Sequence, residues 1–436
     1  MAEKGTNLSA PKNRTNNMNT QSVGTIRLPK INLTKPKHGL ARQLFIKVLQ
    51  QSQTGHLEII DGDDHFTFGE TNSDSNIRAH ITVHDHQLYQ DLLIGGSIAA
   101  GEAYIRQYWS TPNLTEVMRF FSANMAVLEG LQQRKSLLFT GLLRLHHYFN
   151  RNTQTGARRN ISAHYDLGNE FFRLFLDSSM MYSSAVYPSQ EATLAEASEY
   201  KLKLICEQLE LSPNDHLIEI GSGWGGMAVY AASNYGCRVT TTTISKEQYR
   251  LTRERIMEAG LEEQVTVLCE DYRDLTGTYD KLVSIEMIEA VGHHFFSNYF
   301  AKVGSLLKPH GKAVIQAITI PDKRFHSYKR SVDFIKRYIF PGGCLPSINQ
   351  ISHHVARSTD MELVHLRDIT LDYAKTLSDW RDAFMANFEQ IREMGFDDEF
   401  KRLWEYYLCY CEGGFRERVI GTVQVTFAKP EYRVTE

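Results

Sequence analysis

The stretch His216-Leu-Ile-Glu-Ile-Gly-Ser-Gly-Trp-Gly-Gly226 constrains this chain more than any other. Its apolar half reads as a buried strand that stops at glycines 221, 223, 225 and 226, and a helix is expected from Met227 to Ser233. Glycines leave the backbone bare, so a ligand can lie against the turn without meeting a Cβ, at the point where a helix N-terminus begins. The spacing Gly221-x-Gly223-x-x-Gly226 also meets the dinucleotide fingerprint, which by itself leaves two ligand classes open.

Two details separate them. Glu219 stands at the end of the strand, two residues before the first glycine, an arrangement similar to that of S-adenosylmethionine-dependent methyltransferases. A dehydrogenase instead wants an acid about twenty residues further on for the ribose hydroxyl, and there the chain reads Val239-Thr-Thr-Thr-Thr-Ile-Ser245. Methyl transfer is favoured over hydride transfer.

A length of 436 residues allows two domains and a tail. No run approaches the ~18 apolar residues of a membrane span, and the N-terminus has no apolar signal core, so a soluble cytoplasmic protein is expected. A net charge of −3 predicts no general attraction to nucleic acid. The six cysteines follow no metal-ligand spacing and read as reduced thiols. The pair His293-His294 lacks further ligands at suitable spacing, so no metal site is expected.

Residues 1–40 carry Lys4, Lys12, Arg14, Arg27, Lys30, Lys35 and Lys37 against a single acid, Glu3, and read as a disordered basic arm, either a solvated tail or a weak tether to anionic membrane. A small α+β domain is expected over 41–150. Its strands are His56–Asp61, His65–Phe68 and Ile77–Val83, followed by helical periods in 87–93, 99–109 and 114–131. Leu137 to Phe149 reads as an amphipathic helix, packed on the domain or resting on lipid. A linker is placed at 151–160. From 161 to 436 strands and helices alternate, which predicts an α/β fold with helices on both faces of a mainly parallel sheet. Strands near 216–220, 238–242, 265–269, 281–286 and 312–319, with later runs at 362–370 and 419–429, make a seven-stranded Rossmann-like sheet. Long aromatic-rich inserts at 323–338 and 376–411 are expected to roof a pocket with Phe334, Tyr338, Ile339, Phe340, Phe384, Phe388, Trp404, Tyr406 and Tyr407. The pocket belongs beyond the carboxyl ends of the strands.

Several longer motifs follow one another in this half: His164-Tyr-Asp-Leu-Gly-Asn-Glu-Phe-Phe172, Met181-Tyr-Ser-Ser-Ala185, the glycine turn, Thr243-Ile-Ser-Lys-Glu-Gln248, Asp271-Tyr-Arg-Asp274, Glu286-Met-Ile-Glu-Ala-Val-Gly292, Tyr338-Ile-Phe-Pro-Gly-Gly-Cys-Leu-Pro-Ser347 and Gly414-Phe-Arg-Glu-Arg418. Through them the chain, from about 160 to 430, resembles the cyclopropane-fatty-acid synthases, a family that includes the mycolic-acid methyltransferases. Gly95-Gly-Ser-Ile-Ala-Ala-Gly-Glu102 resembles more loosely the extra domain of members that act on bacterial phospholipids.

The resemblance implies where S-adenosylmethionine would lie. Glu219, Gly221, Gly223 and Trp224 would follow its amino-acid part, and Tyr182 and Ser183 would close over the carboxylate. Thr243 and Gln248 would take the ribose in place of the missing acid, and Asp271 and Tyr272 would flank adenine. It also implies a bound bicarbonate as base, at the positions of Ser184, Glu289, Gln316, Tyr373 and the backbone of Ile318. Here Ser replaces the family's Cys and Gln its His; both can bond an anion, but neither titrates near neutral pH.

The implied chemistry is attack of an isolated alkene on a sulfonium methyl, followed by loss of a proton. Aromatic faces around the site can steady the intervening cation. Glu289 is the principal catalytic candidate; Glu286, read as one helical turn earlier, is a lesser helper. Cys411 matches a cysteine of the family and reads as a buried thiol. The expected activity is methyl or methylene transfer to double bonds of phospholipid acyl chains, with a cyclopropane or a branched product. A homodimer visiting the inner face of the membrane is the implied setting. Methylation of a small molecule, or lipid binding without catalysis, are the alternatives.

Overall fold

Period-two alternation in the first third of the chain builds a small mixed sheet. Helix α1 (His38–Leu49) leads into strands β1 (His56–Asp61), β2 (Asp64–Gly69) and β3 (Arg78–Val83). Leu57, Ile59 and Asp61 of β1 turn inward, while their neighbours stay part-exposed. Helices α2 (Gln87–Gly95) and α3 (Ser97–Ile105), strand β4 (Trp109–Ser110) and helix α4 (Leu114–Ala123) complete this layer. Its strand order is β2-β1-β3-β4, with β1 and β3 parallel. The helix expected to reach Trp109 stops at Ile105 because Gln107 takes φ +61°, and Trp109 pairs with Val83 as β4. Helix α4 is interrupted after Ala123 by Asn124, whose side chain turns back to bond the backbone of Gln53 and Thr54. Residues 125–127 are helical again, and the rest of the expected period lies outside the described residues.

The computed structural model describes residues 38–70, 75–127 and 167–433. Nearly all of the basic arm, the amphipathic segment Leu137–Phe149, the linker at 151–160 and the start of the motif at His164 lie outside the described residues.

The second layer is the seven-stranded sheet. After α5 (Asn169–Arg173), helix α6 (Leu194–Leu209) opens on a capping box between Thr193 and Glu196. Then come β5 (His216–Ile220), α7 (Gly226–Tyr235), β6 (Arg238–Thr242), α8 (Lys246–Glu258), β7 (Val265–Leu268), β8 (Tyr279–Ile285), α9 (Phe296–Leu306) and β9 (Leu307–Thr319). Helices α10 (Asp322–Tyr328) and α11 (Ile348–Ser358) precede β10 (Glu362–Asp368). Helices α12 (Thr370–Ala386), α13 (Phe388–Glu393) and α14 (Asp398–Arg416) precede β11 (Gly421–Ala428). The order is β10-β11-β9-β8-β5-β6-β7. Strands β5 to β9 run parallel and β11 runs antiparallel to both neighbours. The order reverses between β5 and β8, so a crevice opens there beyond their carboxyl ends.

The inserts depart from the expected roof. Phe384 and Trp404 pack around Phe171 and Phe175 at ring separations of 5.0–6.5 Å, and Phe388 meets Phe384 edge-on. Phe334 lies on Tyr406, and Tyr338 bonds Glu102. Of the nine roof residues, Phe340 and Tyr407 border the main cavity; burying large aromatic area took most of the rest into the core. Helix α14 also carries the small layer, with Thr115 bonded to Glu412 (2.8 Å), Arg119 to Glu417 (2.7 Å) and Tyr104 to Glu405 (2.9 Å). The described residues thus fall in one compact unit.

Candidate active site

Beyond Ile220 the chain enters the glycine turn with φ +97° at Gly221 and +86° at Gly225, a region that favours glycine. The Gly221 and Ser222 N–H groups both donate to the Thr242 carbonyl (3.1 and 2.8 Å), which ties the turn to β6. At Gly226 a Cβ would stand 2.7 Å from the Ser179 carbonyl and 2.8 Å from Met181 Sδ, so the segment 179–184 rests directly on the turn. The turn opens on a cavity of about 370 Å3.

Every residue expected at a nucleoside ligand borders this cavity: Tyr182, Ser183, Glu219, Gly221, Gly223, Trp224, Thr243, Gln248, Asp271 and Tyr272. Glu219 is buried and accepts from the Thr241 hydroxyl (2.6 Å); burial pushes its carboxyl up to about 7. Thr243 donates to the Gln248 side-chain oxygen (2.8 Å), so the two act as a pair. Arg273 grips both oxygens of Asp271 (2.7 and 2.6 Å), and Oδ2 keeps a further lone pair. One expectation needs correcting. Trp224 is 2% exposed, its indole N–H on Asn169 (2.7 Å) and its ring against Phe172, so the ring serves packing. Tyr272 has a buried hydroxyl with no partner among the described residues, and burial raises it to about 12.

At the other end of the cavity the arrangement differs more from expectation. Ser184 and Gln316 are fully buried behind the wall. The Ser184 hydroxyl donates to the Ala185 carbonyl (2.9 Å), away from any ligand. The Ser184 backbone N–H (2.8 Å) and the Gln316 amide (2.8 Å) both donate to Oε1 of Glu286. The Tyr373 hydroxyl donates to Oε2 of the same carboxylate (2.8 Å). Three of the groups expected around a bound anion therefore converge on a side chain of the protein. Glu286 itself has φ +50°, an uncommon conformation for a residue with a Cβ. Burial raises its pKa; the three donors and the charge of Lys201 oppose that rise.

Glu289 lies on the next turn. Its Oε1 accepts from the Ile318 N–H, while Oε2 is buried with no partner among the described residues. Burial and the nearby charge of Glu286 push Glu289 up to about 8. Cys411 borders the cavity, but burial pushes its thiol well up, so it is no thiolate nucleophile.

Two groups were missed. Lys201 is fully buried on α6 and donates from Nζ to the Ser183 hydroxyl oxygen (2.9 Å). Burial lowers its pKa to about 8 against the charges of Glu286, Asp177 and Glu219. Its signal was present: a lysine on the buried stripe Ala197, Lys201, Ile205 of an otherwise amphipathic helix. The second is a line of amides. Gln208 donates to Gln424 (2.7 Å), Gln424 to Gln316 (3.0 Å), and Gln316 to Glu286. Fully buried glutamines in the apolar strands β9 and β11 were its signal.

Comparison with known proteins agrees with this geometry. The family model described as mycolic acid cyclopropane synthetase matches residues 152–425. The chain is 38% identical over 354 residues to a cyclopropane-fatty-acyl-phospholipid synthase of Escherichia coli, covering 80% of this chain and 88% of that one. It is 36% identical over 341 residues to a tuberculostearic acid methyltransferase of Mycobacterium tuberculosis, covering 77% and 79%. Among solved structures, a mycolic acid cyclopropane synthase complexed with SAH and CTAB aligns with a TM-score of 0.59 at 31% identity, over 62% of this chain and 98% of that one. The glycine turn with its buried acid, the sheet order and the cavity that joins them are those of a chain that belongs to the mycolic acid cyclopropane synthetase family.

Proposed function

We propose that this protein uses S-adenosylmethionine to methylate an isolated double bond of an unsaturated phospholipid acyl chain, and that Glu286 collects the proton, leaving a methylene branch. The cavity fits the cofactor. Buried Glu219 suits its ammonium, the bare backbone at Gly221 and Gly223 admits the amino-acid part, the pair Thr243–Gln248 suits the ribose, and Tyr272 offers a face to adenine. S-adenosylmethionine, when bound, supplies an electrophilic methyl on a sulfonium centre.

Tyr182, Phe340 and Tyr407 line the reaction end and keep water from it, and the Tyr182 and Tyr407 hydroxyls bond each other (2.9 Å). The alkene π pair forms the new C–C bond to the methyl as the methyl–sulfur bond breaks, its pair leaving on sulfur with S-adenosylhomocysteine. A cation develops on the neighbouring carbon. A hydride shift moves the cation to the methylated carbon. A proton then leaves the new methyl for Glu286, and its bonding pair becomes the C=C bond of the methylene branch. Burial raises the proton affinity of Glu286 while its three donors hold it as a carboxylate, the balance a general base needs.

The observation that carries this reading is the convergence of Ser184, Gln316 and Tyr373 on Glu286. The residues do not fit a separate bicarbonate at those donors, and no step is assigned to one. Ring closure is the second reading, favoured by the unpartnered Oε2 of Glu289. The test is incubation with S-adenosylmethionine and unsaturated phospholipid vesicles in carbonate-free buffer, with proton NMR of the fatty acids. Vinylidene signals are expected, and Glu286→Gln should lose about 100-fold or more in rate while still binding S-adenosylhomocysteine. Cyclopropyl methylene signals would replace branching with ring closure; a requirement for added bicarbonate would remove Glu286 as the base.

A further inference from the structure

A second cavity, about 160 Å3, lies in the small layer between β1, β3, helices α2 to α4, and α14. Its walls are hydrocarbon, with Leu88, Leu92, Ala100, Val117, Met118 and Phe121 among them. Two of the polar tips nearby are engaged elsewhere: the Tyr89 hydroxyl is on Asp61 (2.8 Å) and the Trp109 N–H is on the Ala100 carbonyl (3.1 Å). At the inner end stand Tyr406 and Tyr410 of α14, their rings stacked 6.1 Å apart at 17°. Tyr410 also borders the reaction cavity, so one ring lies between the two spaces. Helix α4 runs along the same partition, with Phe121 on the second cavity and Ser122 on the first.

The space is not general looseness. A Cβ on Gly101 would stand 2.5 Å from the Phe334 ring, and one on Gly413 2.6 Å from Met118 Cβ, so the surrounding helices are in close contact. Close-packed interiors leave few voids larger than a water molecule, and an apolar void of this size takes up small apolar molecules.

We propose that this second cavity receives the methyl-terminal segment of the acyl chain being methylated, with Tyr410 as the divider between reacting carbons and tail. The inference rests on the acyl-chain reading above. A double bond within a chain leaves hydrocarbon beyond the reacting carbons, and that tail needs an apolar path out of the reaction cavity. The second cavity shares Tyr410 with it and, among the described residues, is lined mainly by hydrocarbon with no charged side chain to suit a headgroup.

The test fills the cavity with Ala100→Leu and, separately, Ser97→Leu, so that failure of one variant to fold leaves the other. Thermal unfolding and S-adenosylhomocysteine affinity serve as controls. Two phospholipids with the same double-bond position but short or long tails beyond it are compared by kcat/KM. The long-tailed substrate should lose about tenfold while the short-tailed one is unchanged. Equal rates for both, or equal losses, would overturn the assignment. A loss with diacyl lipid that is independent of tail length and absent with single-chain lipid would also overturn it, and would give the cavity to the neighbouring chain. If the unaltered protein methylates no lipid, the functional reading itself fails; if a filled variant methylates lipid with unaltered tail preference, only this inference does.

Discussion

Glu286 and Glu289, three residues apart, are held in opposite ways: one carboxylate has three donors, the other has a single donor and a bare oxygen. Glu289 is raised to about 8 in the folded protein, above the ordinary carboxylate range, so the native state holds its proton more tightly than the unfolded chain does. The resulting stability is fully present below the unfolded value and is lost as pH rises towards about 8. Glu289→Gln should therefore gain melting temperature over the parent as pH goes from 5 to 8, with an upper limit of about 1.4 kcal/mol per pH unit. A difference that stays flat across this range would show that Glu289 is ionised throughout. Lys201 makes a second prediction. Removing its charge takes a cation from beside Glu219 and Glu286, so both carboxylates titrate higher. In Lys201→Met the acidic limb of the kcat/KM profile should move about one pH unit upward. An unmoved limb would leave Lys201 only its bond to Ser183.

Among the elements, the glycine turn and the segment 179–184 form one device, because Gly226 leaves no room for a side chain against Ser179 and Met181. Gly226→Ala should push that segment away and weaken S-adenosylhomocysteine binding about tenfold or more while the sheet still folds, measured by calorimetry and circular dichroism. Most strands of the large sheet were legible as short apolar runs between turn residues, and β5 with its glycines located the ligand crevice. The arrangement beyond β8 was not. The i, i+3 spacing of Glu286 and Glu289 reads as successive turns of one helix, with Glu286 at an exposed position. In the structure Glu286 has φ +50° and a 3-10 turn covers Ile288–Ala290, so both carboxylates face inward. A positive φ at a non-glycine residue leaves no trace in residue type. The aromatic inserts were misplaced for another reason: periodicity shows that a face is buried, but not whether a cavity or a neighbouring ring covers it.

Over the whole molecule, α14 joins the small layer to the reaction cavity. Glu412 is 1% exposed and is held by Arg381, Thr115 and Arg416, so it is a buried charge at the seam. Arg381→Met should cost about 3 kcal/mol in urea unfolding, because it leaves that charge short of a partner. Arg381→Met with Glu412→Leu should recover most of the loss, and full additivity of the two changes would mean that they do not interact. The line of amides crosses the sheet, from part-exposed Gln208 on α6 through Gln424 and Gln316 to Glu286. Gln424 and Gln316 each accept from the amide before and donate onward, so replacing either strands a neighbour with an unmet group in the interior. A change at Gln424 or Gln316 is therefore felt at both of its neighbours, and part-exposed Gln208 on α6 is tied through them to a carboxylate that borders the reaction cavity.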